Sequence, residues 1–135
     1  MQRNWGYVVA AVVALEPPPV ALTVHGGGLE PVTIVCRLTV QPHADNRGVC
    51  IGYTGGDVGS DRRSCWGLDG DKAPKTTQLT FSNIRGEGEY WLTAELCRGH
   101  WEATSNECSQ RWIVAAPQRF MVVGMGNLRY RRGRR

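Results

Sequence analysis

Two stretches of strict alternation limit what this chain can fold into. In residues 31–41, Val32, Ile34, Cys36, Leu38 and Val40 alternate with Thr33, Val35, Arg37, Thr39 and Gln41. In residues 88–96, Tyr90, Leu92, Ala94 and Leu96 alternate with Trp91, Thr93 and Glu95. A period of two places each apolar set on one face of a strand, so both segments predict half-buried β-strands with Cys36 and Tyr90 facing a core. No segment carries a 3.6-residue apolar stripe through three turns free of Gly, Pro and β-branched residues, which argues against long helices. Seventeen glycines and seven prolines supply the turns that many short strands need.

Further strand signals recur along the chain. They cover residues 20–24, closed by His25-Gly26-Gly27-Gly28, and then 49–53, 64–68, 77–84 and 109–115, with a last apolar run at 120–123. Residues 42–48 read as a turn and 54–63 as a Gly- and Asp-rich loop. The 64–68 segment reads as an edge strand. Seven or eight strands with turn signals every ~8–12 residues and no helical crossover predict an all-β, antiparallel β-sandwich. At 135 residues, with 41% hydrophobic and 21% charged content, one globular domain accommodates the count. The expected organisation is an apolar N-terminal segment with a proline hinge over 1–19, the sandwich over 20–116, and an extension with an Arg-rich tail over 117–135.

Gly28-Leu29-Glu30-Pro31-Val32-Thr33-Ile34-Val35 resembles the entry from first to second strand in PKD-like and other bacterial or phage immunoglobulin-like (Fn3-like) domains. Residues 77–96, with Gly88-Glu89-Tyr90, are similar to their fifth and sixth strands, where a tyrosine braces the corner. The resemblance spans about residues 22–115. It implies an immunoglobulin-like sandwich and, by family expectation, a place on secreted surface proteins or phage particles. The antibody-type inter-sheet disulfide is not implied, because Leu92 stands where its second cysteine falls and no tryptophan lies near Ile51.

Five cysteines argue for an oxidising compartment. Cys50 and Cys65 flank the predicted loop 51–64, and Cys97 and Cys108 flank the polar loop 98–107, so each pair is expected to close its loop as a disulfide, with Cys36 a buried free thiol. Five reduced thiols are the alternative. No C-x-x-C occurs and His25, His43 and His100 lack ligand spacing, so no metal is expected. Asp57, Asp61, Asp69 and Asp71 lack the spacing of a calcium loop and read as turn residues.

Residues 7–15 are an apolar, valine-rich run before Glu16-Pro17-Pro18-Pro19. They fit a signal peptide cut after Ala14, or a β-strand, either an ordinary one of this domain or one donated to a neighbour, and are too short to span a bilayer. At the other end, Arg129, Arg131, Arg132, Arg134 and Arg135 surround Tyr130. Without these five the net charge of +4 falls to −1, so the basic character belongs to the tail. Such a tail can hold nucleic acid or another anion through phosphate contacts, or merely solubilise the terminus.

The candidate partner-binding residues are Arg98, His100, Trp101, Glu102 and Asn106 in the stapled loop, and Trp91 and Trp112 as an outward cross-strand pair. No nucleophile elbow, phosphate-binding glycine loop or zincin motif occurs, and His43 with Asp45 lacks a nucleophile. The expectation is therefore a non-enzyme without a cofactor: a binding or assembly module on a secreted, cell-surface or virion surface, meeting a protein or glycan or self-associating by strand addition. The alternative is a nucleic-acid-associated structural protein using the tail.

Overall fold

The computed structural model describes residues 17–56, 60–72 and 74–124. In chain order the strands are β1 (Val20–Gly26), β2 (Gly28–Leu29), β3 (Val32–Val40), β4 (Asn46–Gly55), β5 (Ser60–Gly67), β6 (Thr76–Ile84), β7 (Gly88–Arg98), β8 (Trp101–Glu102), β9 (Glu107–Cys108), β10 (Trp112–Val114) and β11 (Gln118–Val123). They make an antiparallel β-sandwich. One sheet has the order β1-β3-β6, the other β2-β11-β7-β4-β5 with β10 also on β7, and β8-β9 form a separate hairpin. Among the described residues the short β2 alone pairs in parallel, with β11.

Alternation decides which side of each strand is dry. Ile34, Cys36 and Leu38 of β3 and Tyr90, Leu92, Ala94 and Leu96 of β7 are all buried, and both runs read from sequence have the parity expected of them. Four aromatic rings fill one end of the core. Tyr90 stacks on Phe120 at 5.1 Å, and Tyr53 meets Phe81, Tyr90 and Phe120 edge-on. The Tyr90 hydroxyl reaches back to donate to the Gly86 carbonyl at 2.7 Å, with the Arg85 carbonyl at 3.1 Å. Gly56, at φ +74°, lies against that hydroxyl, and a side chain there would collide with it.

Two element boundaries differ from the sequence expectation. The presumed loop 54–63 is shorter, because β4 continues to Gly55 and β5 begins at Ser60. Ladder pairing with β4 outweighs the turn-like composition, and the charged residues Asp61, Arg62 and Arg63 suit an edge strand. The expected closing strand at 109–115 is also split. Cys108 belongs to the β8-β9 hairpin, and only Trp112–Val114 pairs with β7. The chain then gains one residue relative to β7, since Val114 faces Glu95 whereas Gln118 faces Leu92. This bulge holds Pro117 where no ladder N–H is needed, and Ala115 N–H donates to the Ala94 carbonyl at 2.9 Å beside it. Beyond it β11 rejoins the same edge of β7 and sends Phe120 and Val122 into the core.

Candidate functional site

Both disulfides form as the spacing predicts. Cys50 joins Cys65, and Cys97 joins Cys108; Cys36 is a buried free thiol. Cys50 and Cys65 are register partners on β4 and β5, so their bond lies on the outer face of the larger sheet and not at the mouth of a long loop. Cys97–Cys108 fixes the β8-β9 hairpin to the end of β7. Neither bond crosses between the sheets.

The hairpin folds back over the sheet. Gly48 and Gly67 face each other across β4 and β5 and leave a bare floor on the outer face. Trp101 lies on that floor: a Cβ at Gly48 would overlap its indole ring, and one at Gly67 would sit 3.7 Å from the indole nitrogen. Trp101 also meets Trp112 edge-to-face at 5.8 Å, and the Arg63 guanidinium carbon is 5.9 Å from the Trp112 ring centroid. This Trp101–Trp112–Arg63 row clamps the hairpin to the sheet.

The expected Trp91–Trp112 pair is not made. Both point outward as their parity predicts, but Trp112 is opposite Cys97 and Trp91 is opposite Arg119, at the far end of β7. The bulge at 115–117 lets two successive strand segments share one edge of β7, which separates the tryptophans. Arg98 is committed as well. Its Nε donates to the side-chain carbonyl of buried Asn46 at 3.0 Å, and Asn46 in turn donates to the Gln41 carbonyl at 3.0 Å. His100 and Glu102 remain exposed on the hairpin, where the Thr104 hydroxyl donates to Glu102 at 3.0 Å, and Asn106 takes the left-handed turn position at φ +54°.

Trp91 belongs to a different patch. The exposed large apolar residues among those described are Leu29 (50% exposed), Trp91 (43%), Val114 (61%), Met121 (48%) and Val123 (42%). All five lie on the outer face of one sheet. Val123 pairs with Leu29, Met121 with Glu89, and Arg119 with Trp91, so Leu29, Val123, Met121 and Trp91 run as one strip along β2, β11 and β7. Arg119 and Glu89 form an ion pair at 3.4 Å within the strip. Alternation within Gln118–Val123 was the available signal for Met121 and Val123, but it carries meaning only once β11 is known to pair with β7. Beside the strip a groove of about 370 Å³, floored by Cys50 and Gly52, runs between Thr93 and Glu95 on one wall and Asp61 and Arg63 on the other.

The remaining candidates are local. His43 Nδ1 accepts from the Asp45 backbone N–H at 3.0 Å within one turn. Among the described residues no three His, Cys, Asp or Glu side chains gather as a metal site, and no helix is long and apolar enough to cross a membrane. Asp57, the five tail arginines and the 7–15 segment lie outside the described residues. The chain matches no known protein-family model and no curated protein sequence.

Proposed function

We propose that this chain is a non-enzymatic, immunoglobulin-like binding and assembly module of a secreted, cell-surface or virion-surface structure. The single observation that carries the reading is the gathering of every large exposed apolar residue described onto one sheet face. Isolated exposed hydrophobes are ordinary, whereas a contiguous strip rimmed by charge marks a docking surface. Two disulfides support an oxidising compartment. The immunoglobulin-like part draws on strand order, with first, third and sixth strands in one sheet and last, seventh, fourth and fifth in the other. It also draws on Tyr90, whose hydroxyl returns to the Gly86 carbonyl as in a tyrosine corner.

The strip shifts the expected contact away from the hairpin tryptophans and onto Trp91, with exposed His100 and Glu102 as a polar margin at the opposite end of the face. A photo-crosslinking residue at position 91, in the native secreting cell or assembled particle, is expected to trap a discrete partner. The same group at Arg37, on the outer side of the smaller sheet, is expected to trap none. Equal, diffuse labelling from both positions would overturn the reading.

A further inference from the structure

We propose that the free edge of β6 accepts the valine-rich segment 7–15 of a second copy as an added strand. This rests on the assembly half of the reading above but uses a different surface. Among the described residues, β6 is the outermost strand of the three-stranded sheet, paired to β3 on one side only. Its sequence, Thr-Thr-Gln-Leu-Thr-Phe-Ser-Asn-Ile, has no charge and no proline. Of the other outer strands, β5 carries Asp61, Arg62 and Arg63 and β2 is two residues long, while β1, Val20–Gly26, is the shorter edge of the sheet that holds β6. A nine-residue edge without such protection is a template for another strand.

The space beside that edge is mostly apolar, with Asp69 and Lys72 also in its lining. A groove of about 480 Å³ opens between β6 and β5, lined by Leu38, Val40, Val49, Trp66, Leu68 and Thr77. At its far end the Arg62 guanidinium donates to the Ser82 carbonyl at 3.2 Å and closes the gap between the sheets. The accessible edge therefore runs from Thr76 to about Phe81. A strand added there would hang every second side chain over the groove. In segment 7–15 both parities are apolar: Tyr7, Val9, Ala11, Val13 and Leu15 on one, Val8, Ala10, Val12 and Ala14 on the other. Either register fills the groove.

Reach favours a segment from another copy, since the same chain would need every link from Pro19 to Leu15 at full stretch. The Pro19 carbonyl accepts from Gln41 N–H, which holds residue 19 beside the end of β3. The position beyond β6 is three strand spacings from β1, about 14 Å away. The four links from Pro19 back to Leu15 span at most about 13–14 Å fully stretched. The β3-β4 connection and Lys75, whose carbonyl accepts from Val40 N–H, stand in the direct line. Pro17 and Pro18 are both exposed. Their stiff, extended conformation suits delivery to a neighbour.

The ladder supplies a selective test. Val40 bonds Lys75, so alternation along the antiparallel pair leaves Thr76, Gln78 and Thr80 with N–H groups facing the free edge. Gln78→Pro thus blocks acceptance without removing a bond to β3, and Gln78→Lys blocks it by charge. Val12→Asp with Val13→Asp blocks donation in either register. Sedimentation of the full chain is expected to show at least twice the 14.9 kDa chain mass. The acceptor and donor variants alone are expected to be monomeric, and mixing Gln78→Lys with the double Asp variant is expected to restore a heterodimer. A full chain that stays monomeric, a mature chain that begins after Ala14, or folded Gln78 variants that associate unchanged would each overturn the proposal. A persisting position-91 crosslink in the monomeric variants would show that the face and the edge act separately.

Discussion

Cys36 occupies the middle of β3 with none of its surface exposed, and burial pushes its thiol up to about 11 from an ordinary 9.0. In the native chain the thiol stays protonated until pH nears 11, whereas the unfolded chain ionises it from about 9. Its contribution is therefore fully present below pH 9 and is lost as pH rises toward 11. Cys36→Val is expected to flatten the fall in stability across that window, measured by denaturant melts at stepped pH. A contribution of the same sign is expected to remain from Tyr53, whose phenol burial also raises. Gly48 is constrained differently, by contact and not by backbone angle. Gly48→Ala is expected to displace Trp101 and cost about 1–3 kcal/mol by overpacking, with loss of the Trp101–Trp112 signal in near-UV circular dichroism. The glycine is visible in sequence, but nothing there says which ring lies on it.

At the scale of elements, the hairpin β8-β9 is an appendage held by one covalent bond and one aromatic clamp. Closing its loop with Cys97–Cys108 removes unfolded-state freedom worth about 3 kcal/mol. Cys97→Ser with Cys108→Ser is expected to lower the melting temperature on the order of 10 °C. The same variant is expected to speed amide exchange across residues 99–111 while leaving β3 and β7 protected, because the core does not rest on the hairpin. Spacing alone was enough to predict this pair and its partner Cys50–Cys65. The sequence was less informative about β5, whose Gly- and Asp-rich start looks like loop until β4 is beside it. It was also silent on the bulge at 115–117, which arises because two segments compete for one edge of β7.

For the whole molecule, the two disulfides lie within the larger sheet and its hairpin, so the joint between the sheets is packing and hydrogen bonds such as Arg62 to Ser82, with no covalent link. Full reduction is expected to leave a cooperatively unfolding sandwich with a lower melting temperature and unchanged far-UV circular dichroism. Loss of the transition would show that the bonds, and not the core, specify the fold. The apolar strip gives a separate expectation. Trp91→Ser with Met121→Ser is expected to cost about 1 kcal/mol of stability, since roughly half of each side chain is already solvated, while reducing partner capture. The sequence by itself determined the all-β class, the buried parity of β3 and β7 and the two cysteine pairs, because alternation and loop closure are local in the chain. Only the tertiary structure decided that Trp101 and Trp112 clamp a hairpin, that Trp91 joins Leu29, Met121 and Val123, and that among the described residues β6 is paired on one side only. Those outcomes depend on which strands become neighbours, and that choice is made by packing between segments far apart in the chain, such as Leu29 and Val123.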